Sequence, residues 1–239
     1  MSKALDYFKE VYDTVPGWVQ KMHDYSPAVL DTYTGIRGEI MQDGALSRKE
    51  KDALIASMNA ARLYSRSMLF HTKGAIDFGY SVPELAEFFL TSYLYKGDPA
   101  LKLALEAISY ALELQGKKVA QPTQVPERAE DSLKLIIDWL DGEDTSYLEE
   151  TLALIAAGNR EDVQAKILGD GLISSRLKHL NMAGNFIVEL NGKGAVPWME
   201  KARTAGASEA DLADIGYICI LTAGIPAWFE LSDSLKTTE

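Results

Sequence analysis

The chain has 239 residues, 47% of them apolar and 25% charged, with 24 lysines and arginines against 35 aspartates and glutamates. This is a globular composition with room for one large domain or two small ones, and an acidic balance without a basic run argues against nucleic acid or an anionic membrane as a partner. One cysteine, Cys219, leaves no intramolecular disulfide and no two-thiol redox cycle, and its neighbours Ile218, Ile220 and Leu221 predict a buried, inert thiol.

In chain order, the opening MSKALDYFKEVYD lacks the apolar run of a secretory signal, and no later stretch approaches the ~18 uncharged apolar residues of a membrane span. The expectation is a cytoplasmic protein without a membrane anchor. Residues 1–21 read as an N-terminal helical extension. The aromatics Tyr7, Phe8, Tyr12, Trp18 and Tyr25 are spaced as core or subunit contacts, with pocket lining as the other reading. Ser47 with Glu50 forms a capping box that opens a helix through KDALIASMNAARL. Ser65 is the expected cap of the next helix, which Gly79 ends. Ser81 with Glu84 is a second capping box, with Pro83 in the first turn, and Asp98-Pro99 starts a helix that stops before Gly116. Residues 117–128, within GKKVAQPTQVPERAED, read as a linker, after which helical spacing resumes. No period-2 strands bounded by hairpin turns occur, so the expected fold class is all-α.

The chain also repeats itself. A shift of 127 residues places DGALSRKEKD from Asp43 on DGLISSRLKH from Asp170, and the thirty residues from His71 on those from Trp198 without a gap. Ala75, Gly79, Ser81, Leu85, Gly97 and Pro99 recur as Ala202, Gly206, Ser208, Leu212, Gly224 and Pro226. Two tandem repeats, 22–116 and 129–239, related by internal duplication, are expected.

The ordered set Leu46-Ser47, His71, Ala75, Gly79, Ser81, Glu84 and Gly97-Asp98-Pro99-Ala100 resembles the carboxymuconolactone decarboxylase and alkylhydroperoxidase-D-like family. The stretch VPGWVQKMHDYSPAVLDTYTGIRGEIMQDG is similar to that family's N-terminal extension. The resemblance implies a homo-oligomer with threefold symmetry, here a trimer that mimics a hexamer of single repeats. Where the redox members carry C-x-x-C, this chain has Tyr64 and Ser67, and where they carry an upstream Glu it has Asp52; only the histidine, His71, is kept. Tyrosine and serine cannot cycle between dithiol and disulfide, so peroxidase activity is not expected. The same positions of the second repeat are Asn191, Gly194, Trp198 and His179, which predicts packing without chemistry.

At about 100° per residue, Tyr64, Ser67, His71, Ala75 and Phe78 share one side of their helix, opposite Arg66, Lys73 and Asp77. His71 is expected to point inward, towards Ser67, while Asp52 and Asn59 share a face of the preceding helix. The candidate catalytic residues are therefore His71 as acid–base group, Asp52 to orient it, and Ser67 and Tyr64 as donors to a substrate carboxylate or enolate. The decarboxylase branch of the family implies a small carboxylated lactone or related acid as substrate. A buried histidine satisfied by a hydroxyl and a carbonyl is the alternative, and with it a non-catalytic ligand-binding or assembly scaffold. His23, His71 and His179 lack metal-ligand spacing, GEDTSYLEE resembles no calcium loop, and no phosphate loop occurs; no metal and no cofactor is expected.

Overall fold

Fourteen α-helices make up a computed structural model that describes residues 2–236, and no strand occurs among the described residues. Met1 and residues 237–239, at the outer ends of the expected extension and second repeat, lie outside them. The amino-terminal part holds α1 (Lys3–Tyr12), α2 (Gly17–Tyr25) and α3 (Pro27–Ile40). The first half continues with α4 (Arg48–Ala61), α5 (Ser65–Asp77), α6 (Val82–Lys96) and α7 (Asp98–Leu114). After an irregular stretch, α8 (Ala129–Trp139), α9 (Ser146–Ala157) and α10 (Arg160–Leu168) lead into the second half: α11 (Ser175–Val188), α12 (Gly192–Thr204), α13 (Glu209–Ala223) and α14 (Pro226–Ser232). The fold is all-α.

Local chemistry explains where these helices begin and end. Ser47 Oγ accepts from Glu50 N at 3.3 Å while Glu50 Oε2 accepts from Ser47 N at 2.7 Å. The same reciprocal bonds join Ser81 to Glu84 at the start of α6. Such caps each stabilise a helix start by about 1 kcal/mol. Gly79, at φ 95°, supplies the left-handed residue that stops α5. Ser65 departs from expectation: the cap position is Tyr64, without a side-chain capping bond, and Ser65 is already helical and donates to Glu106. Leu63, left-handed at φ 58°, turns the chain between the helices, and Tyr64 N bonds Asn59 O at 2.9 Å before α5 starts.

The two halves use one backbone pattern. Helices α4, α5 and α6 correspond to α11, α12 and α13 at a constant offset of 127 (48 to 175, 65 to 192, 82 to 209). The left-handed Leu63 and Gly79 recur as Leu190 at φ 57° and Gly206 at φ 94°. One hydrophobic core runs through both halves, from Leu54 and Phe88 to Leu180 and Ile215, with α11 packed on α4 and α6 and α13 on α4. Cys219 is fully buried in it, 3.7 Å from Met58 Sδ, and burial pushes its thiol far above the ordinary value.

Two buried ion pairs clasp the halves reciprocally. Lys51 Nζ lies 3.2 Å from Asp214 Oδ2 and donates to Ile40 O and Gln42 O. Its counterpart Lys178 pairs with Glu87, both fully buried, and donates to Gly169 O and the Tyr147 phenol. The acids each also accept a backbone N–H from the opposite half, Leu46 N on Asp214 and Leu172 N on Glu87. These bonds satisfy charges that would otherwise be costly to bury.

The amino-terminal helices build a small core of their own from Ala4, Leu5, Phe8, Val19 and Leu30. Pro16 and Ser26 start α2 and α3, the latter with its hydroxyl accepting from Val29 N. Helix α3 packs on α1, α2 and α13, and its Tyr33 and Arg37 face a cavity shared with α5.

Candidate functional site

Helices α4 and α5 pack as a pair, and the approach is close because residue 74 is glycine: a Cβ there would stand 2.6 Å from Asp52 Cγ. Asp52, 1% exposed, meets His71, 7% exposed, with 2.7 Å between Oδ1 and Nδ1. Arg48, one turn before it on α4, donates Nε to the other carboxylate oxygen at 2.7 Å. Asn59 Nδ2 donates to Ser67 Oγ at 3.1 Å, which leaves the Ser67 hydroxyl proton free to be donated.

Burial pushes the Asp52 carboxyl up, but the bond and charge of His71 and those of Arg48 outweigh it and hold the group below its ordinary value. Burial also drives the His71 ring below its ordinary value, aided by the Arg37 and Arg48 charges and opposed by Asp52. Arg48 keeps the carboxylate ionised in either state of the ring. At neutral pH the pair is thus an aspartate and a neutral imidazole that gives its Nδ1 proton to Asp52, with Nε2 left as a base.

His71, Ser67 and Tyr64 line one cavity of about 270 Å³, together with Arg66 and Phe70 of α5 and Leu221 of the second half. The remaining wall is Tyr12, Trp18, Tyr33 and Arg37 from the amino-terminal helices. Tyr64 sits half-exposed at the mouth. The four candidate residues are therefore brought together, although His71 bonds Asp52 and not Ser67. One expectation of the helical wheel fails. Phe78 lies past the end of α5, is 51% exposed and carries the Arg48 guanidinium 4.8 Å above its ring. Arg66, on the solvent face, is exposed and also borders the cavity, while Lys73 bridges Asp13 and Asp77.

The aromatic set divides between the two readings. Phe8 is core, Tyr12 and Trp18 line the cavity, Tyr7 accepts a hydrogen bond from Arg37, and Tyr25 is 92% exposed. Arg37 and Tyr33 carried no sequence signal beyond sharing a helix face with Leu30. Among the described residues no group of three or more His, Cys, Asp or Glu side chains is placed to hold a metal ion.

At the equivalent place in the second half, Asn191 caps α12 by accepting from Gly194 N, and Trp198 stacks near Phe186. His179 Nδ1 bonds the carbonyl of Ser175 at 2.8 Å, one turn back on its own helix. Aromatic packing fills this position.

Residues 27–109 match the Carboxymuconolactone decarboxylase family. The matched segment is about a third of the chain. It spans α3 through most of α7 and carries Asp52, Tyr64, Ser67 and His71. A crystal structure from Burkholderia xenovorans LB400, provisionally assigned as a gamma-carboxymuconolactone decarboxylase subunit, is 18% identical, covering 97% of this chain and 96% of that one with a TM-score of 0.55. At that identity the likeness speaks for the fold, which the two chains share over nearly their whole lengths. No curated protein sequence matches the chain. No helix among the described residues is long and apolar enough to cross a membrane.

Proposed function

We propose that the protein is a cofactor-free acid–base enzyme, a lyase or isomerase acting on a small carboxylated lactone or related acid. The observation that carries this reading is the Asp52–His71 bond at the wall of a small cavity, with Nε2 free of any protein partner. Loss of CO2 from such a lactone leaves an electron pair conjugated with the ring carbonyl, an enolate that needs a donor at oxygen and a proton at carbon. Ser67 and Tyr64 would hydrogen-bond the oxygen, and His71 would move the proton while Asp52 positions the ring. Thiol peroxidase chemistry has no support, because the chain's one thiol is sealed in the core. We carry the tandem duplication as the origin of the repeated helices, and a homo-oligomer, a trimer by preference, supported by the exposed Val29, Ile36, Ile225 and Phe229.

The test is turnover of gamma-carboxymuconolactone and related lactone acids, followed by CO2 release, in wild type and His71→Gln. A general acid–base group contributes about 10²–10⁴-fold, so the variant should lose at least about a hundredfold while keeping its fold. Equal turnover in both proteins refutes the role of His71. If the wild type converts none of these acids, the non-catalytic reading takes its place.

A further inference from the structure

Arg37 is 3% exposed, yet none of the ion pairs among the described residues includes it. Asp52, which acts on it electrostatically, already serves His71 and Arg48. Two of its N–H donors go to phenols, Nη1 to Tyr7 and Nη2 to Tyr12 at 3.0 Å. Its guanidinium carbon lies 5.5, 5.7 and 5.6 Å from the ring centroids of Tyr7, Phe8 and Tyr12. Neutral rings and phenols orient a guanidinium but do not neutralise it, and three of its five N–H donors remain. A buried charge without a counter-ion is costly, and a site that keeps one is prepared for a ligand of opposite sign.

The surroundings have the same sign. In a chain of net charge −11, the lining of this cavity contains two arginines, Arg37 and Arg66, and no carboxylate. Burial raises the Tyr12 and Tyr33 phenols above their ordinary values, so both stay protonated as donors. Tyr12 can accept from Arg37 and give its own proton to a bound oxygen. The other walls, Trp18, Phe70 and Leu221, are apolar and mostly flat, and about 270 Å³ falls just short of the roughly 300–1,000 Å³ of pockets for drug-sized ligands.

We propose that Arg37, held by Tyr7 and Tyr12, is the receptor for the carboxylate of a small, flat, unsaturated acid whose ring lies against Trp18 and Phe70 and extends towards His71. This rests on the same cavity as the acid–base reading, but not on His71 turning a substrate over. Tyr7, Tyr12 and Trp18 precede the matched segment 27–109, so part of the ligand preference resides in helices outside the family match.

Benzoate and its uncharged isostere benzamide are the probes, titrated at fixed ionic strength with NMR detection of the Trp18 indole N–H. Saturable binding of benzoate is expected, at least tenfold tighter than benzamide. Charge-assisted hydrogen bonds are worth enough that Arg37→Gln should weaken benzoate about ten- to hundredfold. Tyr12→Phe should weaken it severalfold, and His71→Gln by less than threefold. No saturation in the wild type, equal binding of benzamide, or a folded Arg37→Gln that binds benzoate normally overturns the proposal. If Arg37→Gln fails to fold, Tyr12→Phe and the benzamide comparison decide. Benzoate binding as expected alongside lactone turnover that ignores His71→Gln would sink the acid–base reading alone.

Discussion

Replacing Asp52 by asparagine probes the site at its most constrained point. Each carboxylate oxygen takes one donor at 2.7 Å, His71 Nδ1 on one and Arg48 Nε on the other. Asparagine keeps one acceptor and sets an NH2 against the second donor. If the amide oxygen stays with Arg48, the imidazole must move its proton to Nε2, and the base at the cavity is lost. If it stays with His71, Arg48 loses its partner. Removing one member of a buried ion pair costs about 3–5 kcal/mol, and because one hydrogen bond survives the expected loss is about 3 kcal/mol at pH 7, read from urea denaturation. The pH dependence has a definite sign. Asp52 is lowered in the folded protein, so its contribution is complete above the unfolded aspartate value and is lost only as pH falls through the folded one. His71 is lowered as well, so the unfolded chain takes up a proton below about 6.5 that the folded ring refuses, and stability declines there as pH falls. Asp52 is what pulls the ring upward; without it the folded value drops further and the decline steepens. The gap between wild type and variant should therefore widen from pH 7 to pH 5. A loss under about 1 kcal/mol, typical of an exposed pair, or a gap that narrows over that range refutes this account.

Two further substitutions test the framework that holds the site. Glu87→Gln leaves Lys178 buried without its acid and should cost about 3–5 kcal/mol, whereas Glu87→Leu combined with Lys178→Met should recover most of that loss in a double-mutant cycle. Gly74→Ala would gain about 1 kcal/mol of helix propensity at an open position, but its Cβ falls on the Asp52 carboxylate. The expected outcome is net destabilisation by about 1–3 kcal/mol in urea denaturation, with a shifted His71 resonance at neutral pH.

The parts of this molecule that were legible in sequence are the parts governed by neighbours along the chain. Ser47 with Glu50, Ser81 with Glu84 and Gly79 act within four residues, so their spacing was sufficient to place helix ends. Ser65 was misplaced because the cap depends on Leu63 adopting a left-handed conformation that leucine rarely takes. Phe78 was misplaced because a helical wheel does not apply beyond the last helical residue, Asp77. Asp52 and His71 could be proposed together because both sit on adjacent helices of a recognisable motif. Arg37 and Tyr33 could not, and Tyr12 and Trp18 could be named only as core, subunit contact or pocket lining, since their place at the cavity depends on how three helices pack. Lys51 and Lys178 carry no local signal of burial; their partners Asp214 and Glu87 lie far away in sequence, at the same offset of 127.

The asymmetry of the two halves follows from what each histidine position can reach. In the first half, Gly74 lets α4 approach until Asp52 meets His71, and α1 to α3 cover the result with an arginine that has no acid of its own. In the second, the ring at the matching position is Trp198 and the acid has become His179, turned back onto Ser175. A Cβ on Gly194 would strike Phe186, so no room is left there for a side chain such as Ser67. The second half nonetheless contributes Leu221 to the cavity wall, and through Asp214 it holds Lys51, the residue next to Asp52. The start of α4, and with it the carboxylate bonded to His71, is therefore held from the opposite half of the chain.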